Sequence, residues 1–310
     1  MRIAVLAGGV GGARFVQTLT EVVDPAGVTV IANVGDDLEV HGLYVSPDLD
    51  TLLYTLAGVA DEERGWGRRG ETWNALATVR ELGDDAWFQL GDRDIGLHLV
   101  RTEALRRGEP LSSVTRRFAE ALRVAVALLP ATDDRLRTRL RTPAGELEFQ
   151  EWFVARGHRD RVDEVVYDGA ADAQAAPGVL DALGDADLIA IAPSNPFVSV
   201  GPILAVPGIR AAVAARRERV VAVSPLIGGR AVKGPADAMF TSLAGGTGAG
   251  QVAGCYEGLI DALVIDEADA ADADDVEARG VRPLVTRTLM SEPSARRELT
   301  ETVLGLVPAG

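Results

Sequence analysis

The chain has 310 residues, of which 47% are hydrophobic, and it carries a formal net charge of −15. This apolar content is enough for a large folded core, and the acidic balance argues against a nucleic-acid-binding surface, which needs clustered positive charge. The sequence has no apolar run long enough to span a membrane, no recognisable secretion signal and only one cysteine, Cys255, so we expect a cytoplasmic protein without disulfides.

The first fifty residues have the pattern of a strand–helix–strand unit. Residues 3–7 and 28–33 are short apolar runs typical of buried strands, and residues 13–23 between them have a helical pattern. Strands joined by a helix pair in parallel, so this beginning predicts a parallel sheet. A polar loop at 35–50 and a helical run at 52–56 follow.

The middle of the chain has a different pattern. A helix is predicted at 111–122, and a hairpin is predicted from segments 135–142 and 146–154, which flank Pro143-Ala144-Gly145. We therefore predict that residues 60–165 form an inserted subdomain of helices and a hairpin.

The strand and helix alternation then returns. Strands are predicted at 187–192, 220–224, 262–266 and 284–286, with helices at 179–183, 209–217 and 294–304. Because both ends of the chain share one pattern, we predict a single α/β domain over residues 1–310. Its fold class is a doubly wound, mostly parallel Rossmann-like sheet that carries the insertion.

A cluster of glycines separates the first strand from the first helix. Gly8, Gly9, Gly11 and Gly12 allow a ligand to approach the backbone closely, and the following helix directs its free N–H groups at an anion. A tight turn is the alternative, but it needs only one or two glycines. The dinucleotide fingerprint does not fit, because Arg14 stands where its third glycine belongs. The cluster and Arg14 are therefore candidate phosphate-binding residues.

Acidic residues bracket the loop after the second predicted strand. Asp36 and Asp37 begin this loop, and Asp48 and Asp50 end it. The ends of neighbouring parallel strands face one crevice, so these carboxylates are expected near the glycines, where an anionic ligand would need a cation between them. Asp36 and Asp50 are the first candidates for ligands of Mg²⁺, which takes one or two protein carboxylates, and Asp37 and Asp48 are the next candidates. The alternative is that all four are turn or helix-capping residues.

Two further turns follow predicted strands. Ser194 and Asn195 lie between two prolines and can make hydrogen bonds to a ligand, although a rigid turn alone would explain them as well. Arg230 and Lys233, the only lysine, lie in a glycine-flanked loop and are candidate phosphate-binding residues. Trp66 lies in the segment RGWGRRG and could stack on a flat ring.

Eight short segments occur in order along the chain: LAGGVGGARF, NVGDD, PDLDT, RGWG, ETWNA, GDRD, FQEWF and APSNPFVSVGPIL. Together they resemble the 2-phospho-L-lactate transferase family of coenzyme F420 biosynthesis, and most closely its actinobacterial phosphoenolpyruvate transferase branch. The resemblance extends from residue 6 to about residue 237. It leaves the acidic stretch at 261–277 without a role.

The resemblance implies a specific reaction. Members of this family join a three-carbon acid, activated as a guanosine diphosphate derivative, to Fo, a deazaflavin with a ribityl chain. The terminal ribityl hydroxyl attacks the proximal phosphorus, a phosphodiester forms and GMP leaves. The resemblance also implies Mg²⁺ and a homodimer, with small-molecule substrates only. Whether the donor carries enolpyruvate or lactate stays open.

The roles of individual residues follow from combining the motifs with this reaction. Asp36 or Asp50 is expected to accept the hydroxyl proton, with His41 as an alternative base. Asp37, Asp48 and Trp66 are expected to contact the acceptor. Two other function classes stay possible: an NAD(P)-dependent Rossmann oxidoreductase and a non-catalytic nucleotide-sugar-binding regulator.

Overall fold

A seven-stranded sheet forms the centre of the molecule in the computed structural model, which describes residues 1–306. The strands are β1 Ile3–Ala7, β2 Val28–Ala32, β3 Leu38–Val40, β4 Leu43–Val45, β5 Ala127–Pro130, β6 Arg137–Thr142, β7 Gly145–Glu148, β8 Glu164–Asp168, β9 Leu188–Ile191, β10 Val220–Val223, β11 Leu226–Ile227, β12 Arg230–Ala231, β13 Ala262–Asp266 and β14 Arg282–Thr286.

Helices connect these strands and cover the sheet. They are α1 Gly9–Thr20, α2 Pro47–Leu56, α3 Asn74–Glu81, α4 Asp92–Arg106, α5 Leu111–Ala121, α6 Val179–Asp185, α7 Gly201–Ala205, α8 Ile209–Ala214, α9 Ala236–Met239, α10 Ala249–Cys255, α11 Ala273–Glu277 and α12 Pro293–Leu304. Within residues 1–306, none is long and apolar enough to cross a bilayer.

The order of the central strands is β14-β13-β10-β9-β1-β2-β5, and every neighbouring pair is parallel. The predicted fold class is confirmed. From β1 the chain runs outward through β2 to β5, and from β9 it runs outward in the other direction. The order therefore reverses between β1 and β9, which is where sheets of this kind bind ligands, outside the carboxyl ends of the strands.

The first helix begins earlier than its pattern predicts. It starts at Gly9, inside the glycine cluster, so the glycines form its first turn instead of a separate loop. Ala13, Phe15, Val16 and Leu19 are fully buried and pack this helix on the core. Their spacing of three to four residues is that of one helix face.

Residues from the predicted 60–165 insertion occupy two places. Helices α3, α4 and α5 and part of a small antiparallel sheet, ordered β7-β6-β8, lie in or next to this range, but β5 pairs with β2 at the edge of the central sheet. The predicted strand at 146–154 is wrong beyond Glu148. A wide helical turn, Glu151–Ala155, replaces it because Trp152 is 1% exposed and packs in a small core with Leu140 and Leu147.

Candidate functional site

The glycine turn is held against the segment that follows β9. The Ser194 hydroxyl donates to the carbonyl oxygen of Gly8 at 2.8 Å and accepts from the Gly8 amide at 3.3 Å. A Cβ on Gly11 would lie 2.7 Å from the Pro193 carbonyl oxygen, and one on Gly12 would lie 2.7 Å from the Ser194 hydroxyl. Glycine is therefore required here by the close approach of two strand ends at the sheet's reversal point.

Helix α1 begins at this turn, and the Gly9 amide lies close enough to the Asp48 carboxylate to lower its pKa. The N-cap of the helix, Gly8, makes no side-chain cap, and the first turn has no acidic residue. Gly9 has a φ of +67° with open space where a Cβ would stand. The first amides of a helix lack partners within the helix and carry its positive dipole end. This turn can therefore bind an anionic group such as a phosphate.

Two of the aspartates predicted to bind metal or acceptor lie beside the turn. Asp48 Oδ2 accepts from Asn33 Nδ2 at 2.9 Å, and a Cβ on Gly8 would collide with this carboxylate. Asp36 is 5% exposed and its Oδ1 has no hydrogen-bond partner. Burial and then the charge of Asp48 raise the pKa of Asp36 well above its ordinary value, while burial raises the pKa of Asp48 to about 6. The pair lacks a positive partner, which a proton or a cation can supply.

The other two aspartates are occupied by protein donors. Asp37 accepts from Ser46 Oγ at 2.6 Å and from Tyr44 OH at 2.7 Å, so each of its oxygens has a partner. Burial raises its pKa to about 7, and the charge of Arg137 opposes this rise. Asp37 is predicted to contact the acceptor, and in the structure its carboxylate links the hairpin of β3 and β4 to the residue before α2.

Asp50 is paired with a buried arginine. Arg101 is 1% exposed and donates from Nη1 to Asp50 Oδ2 at 3.0 Å and from Nη2 to Asp50 Oδ1. His98 Nδ1 lies 3.2 Å from Arg101 Nη1, and burial lowers the His98 pKa to about 4, so its ring is neutral and accepts this bond. The predicted roles of Asp50 as metal ligand and base compete with this ion pair, whereas Asp36 has a free oxygen.

The predicted alternative base, His41, lies away from these groups. It occupies the exposed two-residue turn between β3 and β4, with a φ of +50°, and its Nδ1 is 3.5 Å from Asp84 Oδ2. His41-Gly42 both have positive φ, which a tight hairpin turn requires. The structure therefore does not bring His41 together with Asp36.

The second predicted phosphate-binding turn has a capping function. Asn195 Oδ1 accepts from the Phe197 amide at 2.9 Å and caps the helical turn Pro196–Val200, and its Nδ2 lies 3.4 Å from Met239 Sδ. Ser194 is 5% exposed, and its hydroxyl is hydrogen-bonded to the backbone of Gly8. These contacts favour the rigid-turn interpretation for both residues, because the Ser194 hydroxyl and the Asn195 Oδ1 are engaged by backbone groups of the protein.

Trp66 and Arg14 line one cavity between α1, α2 and the loop at 58–67. Trp66 is 41% exposed and packs edge-on against Trp73 at 6.2 Å, with the Arg64 guanidinium 5.1 Å from its ring centre. Lys233 is exposed and donates to the Gly65 carbonyl oxygen at 3.2 Å, so the lysine loop contacts the tryptophan loop. A flat ring could enter beside this exposed indole face.

A second glycine pair is closed by the protein itself. Gly228 and Gly229 form the turn between β11 and β12, with φ values of +59° and +69°. Their amides donate to the two carboxylate oxygens of Asp269 at 3.0 Å each. Arg230 follows this turn and is exposed. The turn's amides are therefore already satisfied, unlike those at the start of α1.

The remaining acidic stretch also has structural partners. Asp266 accepts from the Thr288 amide and hydroxyl at 2.8 and 2.9 Å, and Asp272 accepts from the Ala249 amide at 2.8 Å, at the start of α10. Together with Asp269, these residues satisfy backbone amides of neighbouring loops. The stretch at 261–277 thus holds the last third of the fold together.

A glycine turn at the reversal point of a parallel sheet, beside paired carboxylates, defines an α/β protein that binds an anionic ligand. The chain belongs to the 2-phospho-L-lactate transferase family, whose model (2-phospho-L-lactate transferase CofD) matches residues 3–288, and the predicted resemblance is confirmed. It is therefore a transferase.

Curated relatives match along almost the whole chain. A phosphoenolpyruvate transferase of Streptomyces griseus is 43% identical, with 99% of this chain and 98% of the relative covered, and one of Nocardia farcinica is 44% identical, with 98% and 94% covered. A crystal structure of a UPF0052-family protein from Bacillus halodurans has a TM-score of 0.64 at 17% identity, covering 98% of each chain, and shares the fold.

Three residues of the site were missed by sequence reasoning. Asn33 orients Asp48 and also donates to the Val198 carbonyl oxygen at 3.1 Å, and its position directly after the second strand was the available signal. Tyr44 and Arg101 donate hydrogen bonds to the other two aspartates, Asp37 and Asp50, but nothing in the local sequence of either residue indicates a buried polar contact. Their partners become visible only when the tertiary structure is known.

Proposed function

We propose that the protein transfers an enolpyruvyl phosphate group from a guanosine-diphosphate-activated donor to the terminal ribityl hydroxyl of Fo. The new phosphodiester is dehydro-F420-0, and GMP leaves, which is a step of coenzyme F420 biosynthesis. Family membership and the names of the relatives support this proposal. The observation that carries it is the unpartnered Asp36 oxygen beside Asp48, at the open start of α1.

The start of α1 binds the diphosphate of the donor in this proposal. The first turn has no side-chain cap, and the open space beside Gly9 leaves room for phosphate oxygens. Arg14, further along the same helix, is half-buried in the neighbouring cavity and can add a guanidinium contact. Arg230 and Lys233 are exposed and could contact the donor only from its outer side.

Asp36 and Asp48 hold Mg²⁺ in this proposal. The fit rests on the donor set: two buried carboxylates, one with an unpartnered oxygen, are the oxygen ligands that Mg²⁺ takes, and no protein cation is hydrogen-bonded to them. Grouped metal-binding sites of three or more His, Cys, Asp or Glu are absent from residues 1–306, as expected for an ion that completes its shell with water and phosphate. When bound, the ion neutralises charge on the diphosphate.

The protein's own residues then position and deprotonate the acceptor. Trp66 offers its exposed face to the deazaflavin ring, and Arg14 lies in the same cavity. Asp36 is the base that the proposal favours, because its Oδ1 has no hydrogen-bond partner within residues 1–306 and can accept the hydroxyl proton. Phosphoryl transfer needs placement and charge stabilisation more than covalent help from the protein.

Product analysis tests the proposal. The protein is incubated with Fo, GTP, the enzyme that guanylylates the acid, and either phosphoenolpyruvate or 2-phospho-L-lactate, with Mg²⁺ present. We expect a new Fo-containing phosphodiester of the enolpyruvyl mass, GMP in equal amount, and a slower reaction or none with the lactyl donor. Binding of Fo or nucleotide without any product would instead favour the regulator, and reduction of NAD(P) would favour the oxidoreductase.

A further inference from the structure

Helix α2 carries two carboxylates in its first turn that point to opposite sides. Asp48 contacts Asn33 beside the glycine turn, and Asp50 contacts Arg101 on α4. Successive residues of an α-helix are separated by about 100°, so side chains two positions apart lie on nearly opposite faces. The rotation of α2 about its axis therefore links the two side chains, and a contact that fixes Asp50 also fixes Asp48.

Arg101 provides that contact. Its planar guanidinium binds both oxygens of Asp50, so it fixes the direction of the carboxylate as well as its distance. The guanidinium is itself held by His98 Nδ1, at 3.2 Å from Nη1, and by the Phe118 ring of α5, whose centre lies 5.6 Å from its carbon. Arg101 is therefore locked from three sides in the middle of the protein.

A second polar link runs beside the first. Tyr54, one turn after Asp50 on α2, donates to Asp94 Oδ1 on α4 at 2.7 Å. Asp94 and Arg101 are seven residues apart, which places them on one face of α4 two turns from each other. Apolar packing of the same volume would stabilise the fold at least as well as a buried ion pair, whereas polar pairs of this kind fix one register.

We propose that Arg101 is a positioning residue for the paired carboxylates: acting through Asp50, it sets the rotation of α2 that holds Asp48 beside Asn33 and Asp36. The proposal rests on the proposed function, in which Asp36 and Asp48 bind Mg²⁺. Arg101 itself touches neither substrate nor reacting atoms, because its guanidinium is enclosed between α2, α4 and α5.

The test removes both charges of the pair. The double variant Arg101→Met/Asp50→Leu leaves no buried charge unpaired and preserves side-chain volume, so we expect it to fold. In its crystal structure, the distance between Asp48 Oδ2 and Asn33 Nδ2 should exceed hydrogen-bond reach, compared with 2.9 Å in the parent protein. A retained bond at the parent distance overturns the proposal.

Metal binding and kinetics give a second readout. We expect the double variant to bind Mn²⁺ at least about tenfold more weakly, the effect typical of residues that orient a metal ligand, and to lose kcat with less than about a threefold change in KM for Fo. Arg101→Lys keeps the charge and should recover part of the Mn²⁺ affinity. The matched control is Arg107→Met, at the residue that directly follows α4. Its side chain is 68% exposed and pairs with Glu103, and the variant should behave as the parent.

The outcomes separate the two proposals. If the parent does not bind Mn²⁺, or if Asp36→Asn binds it as well as the parent does, the metal site is wrong. In that case the distance between Asp48 and Asn33 still decides whether Arg101 positions Asp48. If the parent binds Mn²⁺ in an Asp36-dependent way and the double variant binds it equally well, the role of Arg101 is wrong. If the double variant does not fold, Arg101→Lys is measured in its place. The proposal is then contradicted if both the Asp48–Asn33 distance and the Mn²⁺ affinity equal those of the parent.

Discussion

The protein has two glycine-rich turns that look alike in sequence and differ in what their amides contact. At the start of α1, no side chain of residues 1–306 makes a helix cap, and the space beside Gly9 is open. At the turn of β11 and β12, both amides donate to Asp269, which arrives from another part of the chain. The first turn is open to a ligand anion, whereas the second is filled by the protein's own carboxylate.

The same division runs through the aspartates. Asp37 and Asp50 are satisfied by protein donors, as Asp269 is, while Asp36 and Asp48 form a pair without a cation. Residue type therefore does not separate the glycines and aspartates proposed to bind ligands from those that stabilise the fold. The presence or absence of a protein partner separates them, and each of the following experiments changes one of these residues.

The largest effect is expected for Asp36→Asn. Loss of the metal-binding carboxylate should lower kcat by about a hundredfold to a thousandfold, which is typical of removing one preorganised charge-stabilising group. Because burial raises the pKa of Asp36 in the folded protein, its charge costs stability at neutral pH, so the variant should also unfold at a higher temperature. Kinetics at saturating Mg²⁺ and thermal unfolding at pH 7.5 measure both effects.

Asp84→Asn is the control for this variant, since Asp84 is exposed and lies next to His41. It should change neither property. A variant of Asp36 with parent-like turnover would show that the free carboxylate is not the functional one.

Whereas Asp36→Asn should mainly lower turnover, Asp50→Asn should mainly lower stability. It leaves the Arg101 guanidinium buried without a counter-charge, and breaking a buried pair in this way typically costs about 3–5 kcal/mol. The free energy of unfolding, measured by urea denaturation, should fall by about that amount. A stable variant with abolished metal binding would instead support the prediction from sequence that Asp50 is a metal ligand.

Gly11→Val tests the open turn. Its side chain would meet the Pro193 carbonyl oxygen, which a Cβ already approaches to 2.7 Å, so the glycine turn must move to accept it. We expect donor affinity to fall by about a hundredfold, since the ligand must then give up its amide contacts. Equilibrium dialysis with a guanosine diphosphate derivative measures this affinity.

The comparison for this variant is Gly184→Ala in α6, where no atom lies within 4 Å of the added Cβ. It should keep donor affinity and gain up to about 1 kcal/mol of stability, because alanine has less backbone freedom to lose on folding. Unchanged donor affinity in Gly11→Val would contradict the assignment of the turn to phosphate.

Asp269→Ala opens the filled turn. The amides of Gly228 and Gly229 lose their carboxylate partner, and we expect the free energy of unfolding to fall by about 2 kcal/mol. Turnover should change less than about threefold, because this turn is not assigned to the reaction. A large loss of kcat without a loss of stability would show that the two turns act together.

The sheet was accessible from sequence because its strands are nearly all apolar. Strands β1, β2, β9, β10 and β13 lie within one or two residues of their predicted bounds, since buried parallel strands have an uninterrupted hydrophobic pattern. Strand β5 was missed as a member of the central sheet. It is only four residues long, ends in Pro130 and lies in a range with helical and hairpin signals.

Helix α4 shows why the site was harder to predict. Its surface exposes Leu99 and Val100, while His98 and Arg101 are buried, so the usual relation between polarity and exposure is inverted. Hydrophobic periodicity therefore gives no signal for this helix. The sequence placed the aspartates in one region correctly, but the partner that separates Asp50 from Asp36 comes from this helix, about fifty residues away along the chain.

The capping residues show the same limit. Asp92 is the first residue of α4, but its carboxylate accepts from the Asn74 and Ala75 amides, at the start of α3. The amides of Arg93, at the start of α4, donate instead to Glu71 at 2.8 Å. Local spacing identifies residues that can cap, and only tertiary structure determines which helix each of them caps.

The smallest effect is a pH dependence that distinguishes occupied from free carboxylates. Burial raises the pKa of Asp37 to about 7 from an ordinary value of 3.8, so between these values the folded protein binds a proton that the unfolded chain has lost. This contribution to stability is complete below the unfolded pKa and is lost as the pH rises through about 7. The free energy of unfolding should therefore fall by about 1 kcal/mol between pH 6.5 and 8, measured without divalent ions.

The variant Asp37→Asn should have a smaller slope over the same interval, because its amide does not titrate. His98 has the opposite effect: its pKa of about 4 leaves it neutral in the folded state, while the unfolded chain loses its remaining proton above pH 6.5. The resulting small rise in stability is the same in the parent and in Asp37→Asn, so it does not alter the comparison of their slopes. Mg²⁺ should reduce the loss of stability at pH 8 in the parent and in Asp37→Asn, but not in Asp36→Asn. A Mg²⁺ effect that persists without Asp36 would place the ion at the occupied carboxylates and reverse the division between the two groups.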